Sequence, residues 1–94
     1  MTIAKIIHTQ IKQLDSMALW AWGTKDLVAM NDGLKFKTSG SVKWKGYVYI
    51  KYDEGQDLYN IDFFKIRKME IVYSEQLEGV FVEDMVRLID EVVG

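Results

Sequence analysis

The sequence predicts an α+β fold: an antiparallel meander of four to five strands flanked by an N-terminal and a C-terminal helix, arranged in two layers. Three observations predict it. Alternating apolar and polar residues run from Ser41 to Lys68 and indicate two long antiparallel strands, called here the central ribbon. Apolar residues recur at helical spacing near both ends of the chain. Only short polar segments separate these elements, so residues 1–94 are expected to form a single domain.

The chain begins with a predicted amphipathic helix over residues 2–14. Isoleucines recur at helical spacing on one side of this segment, and Thr2 is placed to cap its first turn. Residues 17–22 are all apolar and are expected to be buried, either as a second helical turn or as a continuation of the first helix. Gly23 is expected to end that turn, because glycine is the usual residue after a helix C-terminus.

A β-hairpin is predicted next, with strands over residues 25–31 and 34–38. The signal is the dipeptide Asp32-Gly33, which is typical of a two-residue type I′ turn between antiparallel strands. A short polar connection, residues 38–41, then leads into the central ribbon. The hairpin is therefore expected to pair with the ribbon as part of one sheet.

The central ribbon alternates strictly in its first half, so apolar side chains would share one face and basic and aromatic side chains the other. A tight turn at residues 53–56, with Gly55 at positive φ, would set Ile50 opposite Tyr59. In the second half the apolar residues change phase. This change predicts a β-bulge at residues 63–64 or, alternatively, a strand end that is covered on both faces.

The last part of the chain is predicted to contain one strand and one helix. Residues 69–74 have a strand pattern, and residues 75–79 are expected to form a polar loop. Residues 80–93 give the clearest helix pattern, with acids in the first turn, where the helix dipole favours them. The apolar stripe of this helix consists of Phe81, Val82, Met85, Leu88, Ile89, Val92 and Val93.

Composition excludes several classes of function. The net charge of -2 conceals an asymmetry, because residues 1–68 carry eleven Lys/Arg and seven acids, whereas residues 69–94 carry one Arg and seven acids. No cysteine is present, which excludes disulfides and thiolate chemistry. No apolar run approaches the roughly 18 residues of a membrane span, and the start lacks the apolar core of a signal peptide. A cytoplasmic protein without a membrane partner is expected.

The sequence contains no recognisable catalytic or metal-binding set. His8 is the single histidine and is expected to be solvated on the polar face of the first helix. The carboxylates at residues 53–57 and 83–84 lie at a predicted turn and a predicted helix start, where acids serve capping and solubility. No glycine-rich phosphate loop is present. We therefore expect a protein that is not an enzyme and that has no cofactor and no metal site.

The best functional signal is the basic and aromatic face of the central ribbon. Lys35 and Lys37 could extend this face on a neighbouring strand. Cations interleaved with aromatic rings are typical of sheets that bind single-stranded nucleic acid, but the same pattern also fits a protein-binding surface or a plain solvated face. Trp44 falls on the apolar side of the ribbon and is expected to be a core residue; partly exposed beside Lys43 and Lys45, it would instead anchor an interface. The candidate binding residues are Lys43, Trp44, Lys45, Tyr47, Tyr49 and Lys51.

Five segments resemble small proteins of bacteriophages and mobile elements for which no activity is established. That group has a Gly-(Thr/Ala)-Lys-(Asp/Asn) segment near the end of its first helix, an Asp-x-Tyr strand and a closing Gly-Val-aromatic helix start. Thr24 and Asp26 stand here at the two variable positions. The resemblance implies an accessory protein in a bacterial host cytoplasm, and it implies no catalytic residue. The matching segments are residues 22–28, 33–37, 57–63, 65–67 and 79–81.

These observations favour a small non-enzymatic binding module that engages a host or phage macromolecule, with a protein as the expected partner. The alternative is direct nucleic-acid binding through the basic and aromatic face of the central ribbon. An open edge strand of the sheet could also pair with a second copy of the chain, which would give a homodimer.

Overall fold

The computed structural model describes residues 2–94. Five strands form one antiparallel sheet in which neighbouring strands follow one another along the chain, with a helix at each end, so the predicted α+β fold is confirmed. No helix in these residues is long and apolar enough to cross a lipid bilayer. The elements are α1 (Ile3–Leu14), α2 (Ala18–Ala21), β1 (Lys25–Met30), β2 (Gly33–Lys37), β3 (Tyr47–Asp53), β4 (Leu58–Arg67), β5 (Glu70–Val80), a 3-10 turn (Val82–Asp84) and α3 (Met85–Val93).

One face of the sheet, the inner face, packs against both α1 and α3. Alternate residues of β2, β3 and β4 contribute apolar side chains that are removed from water together with the buried stripe of each helix. Because both helices share this single core, the opposite face of the sheet, the outer face, carries no helix. The fully buried side chains of the core include Ile7, Ile11, Phe36, Val48, Ile50, Ile61, Phe63, Met85, Ile89 and Val93.

The first hairpin forms with its turn one residue earlier than predicted. Met30 pairs with Gly33, so the turn consists of residues 31–32. Neither turn residue has positive φ, so the type I′ prediction is wrong. Gly33 is needed in the strand instead, because a Cβ there would lie only 1.8 Å from the carbonyl oxygen of Ile50 on β3. The glycine thus allows close approach of two strands.

The first strand of the central ribbon, β3, begins later than predicted, at Tyr47. Its pairing with β4 is shifted by two residues from the predicted register. Ile50 lies opposite Ile61, not opposite Tyr59. The carboxylate of Asp53 accepts hydrogen bonds from the backbone N–H groups of Gly55 and Gln56. Asp57, at φ 56°, takes the left-handed position expected for Gly55. The turn therefore moves one residue along the chain. A shift of two residues leaves every side chain on its predicted face, because side chains alternate.

The ladder between β4 and β5 is irregular at residues 63–64, where the sequence predicts a β-bulge, but the extra residue belongs to the other strand. Phe63 pairs with Glu75 and Phe64 pairs with Tyr73, so the unpaired residue is Ser74 on β5. β4 itself alternates regularly, with Phe63 on the inner face and Phe64 on the outer face. Phe64 is buried there by aromatic neighbours, so β4 is covered on both faces at this point. The alternative prediction of a strand end is nevertheless wrong, because β4 continues to Arg67.

β5 is much longer than the predicted strand 69–74. It runs from Glu70 to Val80 and includes the stretch 75–79 that was expected to be a loop. Tyr47, the first residue of β3, pairs with Phe64, so the following residues of β4 have no β3 partner. Residues 65–72 consequently extend beyond the rest of the sheet, and they are called here the projecting hairpin.

Two predictions of burial at the helices need correction. In the segment 17–22, Trp22 is buried but Trp20 is 78% exposed, because a single helical turn has only one side against the core. The C-terminal helix begins at Met85 after a 3-10 turn. Phe81, predicted to belong to its apolar stripe, precedes that turn and is 54% exposed.

Candidate macromolecule-binding surface

Three of the predicted site residues share the outer face of β3. Tyr47, Tyr49 and Lys51 alternate with buried residues along this strand. On the neighbouring strand β2, Lys37 pairs with Tyr47 and Lys35 pairs with Tyr49, so both lysines extend the same face, as predicted. Their ammonium groups lie 5.7 and 5.9 Å from the ring centre of Tyr47, within the range of a cation–π contact.

The other three predicted residues do not lie on β3. Lys43, Trp44 and Lys45 belong to the loop before it. Trp44 turns toward the core, where its ring meets Phe63 edge-on at 5.8 Å. Its backbone N–H donates to the carbonyl of Val93 at 3.2 Å. Trp44 is half-buried against the core, on the apolar side that the alternation predicts, while Lys43 and Lys45 are exposed in the loop.

The polar ends of Tyr49 and Lys51 are bonded within the protein. The Nζ atom of Lys51 lies 2.8 Å from Oδ2 of Asp62, and this hydrogen bond raises the pKa of Lys51. The hydroxyl of Tyr49 donates to Asp32. Burial, followed by that hydrogen bond, raises the pKa of Tyr49 to about 12. These two groups are therefore less available to a partner than their exposure suggests.

An aromatic stack crosses the outer face from β3 to β5. The ring of Phe64 lies 5.4 Å from the ring of Tyr47 and 5.9 Å from the ring of Tyr73. Ile66 pairs with Ile71 in the next position along the β4–β5 ladder, and opposed residues of a ladder share a face. These side chains form a continuous surface, the apolar strip, which consists of Tyr47, Phe64, Ile66, Ile71 and Tyr73.

Much of the apolar strip is open to solvent. Ile66, Ile71 and Tyr73 are each more than half exposed. Met69, at the tip of the projecting hairpin, is 98% exposed. Contiguous exposed apolar side chains of this size are uncommon on a surface that has no interaction partner.

A groove with cationic walls lies beside the apolar strip. It has a volume of about 440 Å³ and is lined by Lys37, Lys45, Gly46, Tyr47, Lys65, Ile66 and Arg67, which define the basic groove. Within residues 2–94, ion pairs involve only Lys51 and Arg87 among the cations. No carboxylate is therefore paired with the four cations of the groove, which leaves them available to an anionic ligand.

No protein-family model, curated protein or solved structure matches the chain.

The predicted carboxylate groups have structural roles. Asp53 accepts from the backbone of its turn, and Asp84 pairs with Arg87 at 3.3 Å. His8 lies half-buried on α1, beside Leu27 of β1, where it lines a mainly apolar recess. Within residues 2–94, no group of three or more His, Cys, Asp or Glu side chains is arranged to hold a metal ion.

The part of the surface that β4 and β5 contribute was not predicted from the sequence. Lys65 and Arg67 of the groove, and Ile71 and Tyr73 of the apolar strip, were not singled out. The regular alternation of β4 through Arg67 was a usable signal, because it would have placed Phe64 and Ile66 on the same face as Tyr47. The expectation of an extra residue within β4 obscured that signal.

Proposed function

We propose that the protein is a non-enzymatic binding module that engages a partner protein through the apolar strip. The observation that carries this proposal is an exposed apolar surface on a sheet face that neither helix covers. Aromatic and large aliphatic side chains surrounded by polar groups are typical of the energetic centre of a protein interface. Here Lys35, Lys37 and Lys51 border the aromatic stack.

The cellular context of this function is part of the same proposal. The resemblance to small bacteriophage and mobile-element proteins supports an accessory role in the cytoplasm of a bacterial host. The partner would then be a host or phage macromolecule. No step of this proposal requires a cofactor or a covalent reaction, because the apolar strip acts by burying surface.

A double substitution tests the proposed surface. Tagged wild-type protein is used to capture partners from bacterial lysate treated with nuclease, alongside the variant Ile71→Ser/Tyr73→Ser. Each truncated side chain should cost at least about 1 kcal/mol of binding free energy, so that retention of the captured protein falls by roughly tenfold or more.

The matched control is Met17→Ser/Phe81→Ser, which removes two apolar side chains of similar exposure outside the strip. This control variant should capture the partner as well as wild type does. Equal losses in both double variants, or full capture by the strip variant, would contradict the proposal.

Direct nucleic-acid binding is the second candidate, and the basic groove is the observation that favours it. Its four cations form no ion pair within residues 2–94, so they are available to the phosphate groups of a nucleic acid. The residues proposed to bind nucleic acid therefore differ from those predicted from the sequence. Lys45 and Tyr47 remain, and Lys65 and Arg67 replace Lys51, whose charge is neutralised by Asp62.

Charge reversal in the groove tests this second candidate. Binding of a fluorescent single-stranded oligonucleotide is compared for wild type and for Lys65→Glu/Arg67→Glu. The salt dependence of binding should become shallower by about 0.7 in log–log slope for each phosphate that the variant no longer neutralises. Lys5→Glu/Lys12→Glu, which changes the net charge equally on exposed positions of α1, should bind like wild type. Identical weakening in both variants would exclude a specific site in the groove.

A further inference from the structure

The edge of the sheet at β5 is open. β5 pairs only with β4, and every residue from Glu70 to Gln76 is exposed. Alternate residues of an edge strand direct their backbone N–H and C=O groups away from the sheet, where another strand can bond to them. An 11-residue edge of this kind is long for a protein of this size.

The edge lacks two of the usual devices that prevent strand addition. β5 contains no proline and no lysine, although both are common on protected edges. The bulge at Ser74 interrupts the ladder, but residues 70–73 before it pair regularly with β4. The part of the edge within the projecting hairpin is therefore suited to pairing with an additional strand.

Charge argues against a second copy of the chain as the added strand. β5 carries Glu70, Glu75 and Glu78 and no cation. In a two-fold antiparallel pairing of β5 with itself, no register sets an acid opposite a basic residue, and several registers oppose glutamates directly. Like charges in opposed positions destabilise a sheet. The homodimer considered from the sequence is therefore disfavoured at this edge.

We propose that β5 binds an extended segment of a partner protein by strand addition, and that this segment alternates basic and apolar residues. The register between β4 and β5 determines which side chains of β5 share a face, and hence which residues of the added strand would lie beside them. Ile71 and Tyr73 lie on the outer face, whereas Glu70 and Glu75 lie on the inner side, because they pair with Arg67 and Phe63. The added strand would place apolar side chains beside the apolar strip and cations beside the glutamates.

This inference rests on the proposed function, because it specifies how the partner protein would be held at the apolar strip. Backbone hydrogen bonds would supply affinity, and the alternating side chains would supply specificity. Strand addition at β5 and partner binding at the apolar strip can be disproved independently. The strip could bind a folded surface without strand addition, in which case Ile71→Ser/Tyr73→Ser would still abolish capture.

Three synthetic peptides test the inference by fluorescence anisotropy with the intact protein. The first alternates lysine and valine, the second alternates glutamate and valine, and the third repeats the lysine–valine sequence with alternate backbone amides N-methylated. The first peptide should bind and should slow amide hydrogen exchange in residues 70–76. The second should bind at least about tenfold more weakly because of charge. The third should lose a similar factor, because it keeps the charge but cannot pair along β5.

A charge-swapped protein provides the reciprocal test. Glu70→Lys/Glu75→Lys changes exposed side chains only and should reverse the preference, so that the glutamate–valine peptide binds more tightly. Equal binding of the N-methylated peptide would overturn strand addition, and so would absent binding of the lysine–valine peptide. Protection of β5 in the protein alone, with dimers in sedimentation, would overturn the inference in favour of a second copy.

Discussion

Two tyrosine hydroxyls on the strands are bonded to carboxylates. Tyr49 donates to Asp32, and Tyr52 donates to Asp57 at 2.5 Å. The pKa of Tyr49 is raised to about 12 mainly by burial, and the pKa of Tyr52 to about 12 mainly by its hydrogen bond to Asp57, from an ordinary value of 10.0. The folded protein thus holds both phenols in the protonated form more strongly than the unfolded chain does.

These shifts predict a loss of stability at alkaline pH. The protonated phenols stabilise the fold fully below pH 10, where folded and unfolded chains are both protonated. Between about pH 10 and 12 only the unfolded chain ionises, so the free energy of unfolding decreases as the pH rises. Urea unfolding across this range should show that decrease in wild type and a smaller one in Tyr49→Phe/Tyr52→Phe. Equal pH profiles for the two proteins would contradict the assignment.

The residue scale also shows what alternation alone can predict. The pattern assigned Tyr47, Tyr49 and Lys51 to one face of β3 correctly, because alternation of side chains is inherent in a strand. It could not reveal that Lys43 and Trp44 precede the strand, because the alternation continues unbroken through them. That boundary depends on Thr38, whose buried hydroxyl bonds to the backbone at residue 46 and holds the loop in place.

At the scale of elements, the turn between β4 and β5 is strained. Lys68 and Met69 have φ of 52° and 63°, although neither is a residue that adopts positive φ readily. Both central residues at positive φ give the twist that a two-residue hairpin needs. The projecting hairpin therefore retains two non-glycine residues where glycine or asparagine would be less strained.

Relief of this strain should stabilise the protein. Met69→Gly is expected to raise the free energy of unfolding by about 1 kcal/mol, and it removes no packing because Met69 is 98% exposed. Urea denaturation measures the change. The control Ser16→Gly, at an exposed position without positive φ, should be neutral or destabilising. A destabilised Met69→Gly protein would contradict the strain argument.

The helix α3 contributes to the core through one side only. Ile89 is fully buried, whereas its neighbour Leu88 is only partly buried against the core. Ile89→Ala should therefore lower the free energy of unfolding by about 2–5 kcal/mol, because it removes buried methyl groups and leaves a cavity. Leu88→Ala, the control, should cost clearly less in the same urea titration. The reverse order would mean that the helix is rotated relative to the sheet.

Elements were predictable to different degrees for physical reasons. Helical spacing revealed α1 and α3 because their buried stripes are continuous. Strand registers were not predictable from the apolar pattern, because a shift of two residues preserves both faces. The length of β5 escaped prediction because nearly all of its residues are exposed, so no buried face imposes an alternation on residues 75–79.

At the scale of the whole molecule, the two helices cover one face of the sheet and leave the other to solvent. The apolar strip lies on the uncovered face. The basic groove lies at the end of the sheet, where Tyr47 of the outer face meets Lys65 and Arg67 of the inner side. The sequence interpretation located the first half of this surface on β3. The second half depends on the pairing of β4 with both β3 and β5, which brings Phe64 beside Tyr47 and Tyr73 beside Phe64. The alternation of β4 indicates the face of Phe64, but no local pattern encodes its partners across the sheet.

Side-chain oxidation of the free and the partner-bound protein tests the central claim most directly. Methionine and aromatic side chains report solvent access through their oxidation, and the chain places reporters on and off the proposed surface. Met69 and Tyr73 belong to the projecting hairpin and the apolar strip, whereas Met17 and Trp20 are exposed at α2. We predict that the partner protects Met69 and Tyr73 while Met17 and Trp20 oxidise as in the free protein. Protection of Met17 and Trp20 with undiminished oxidation of Met69 and Tyr73 would contradict the account.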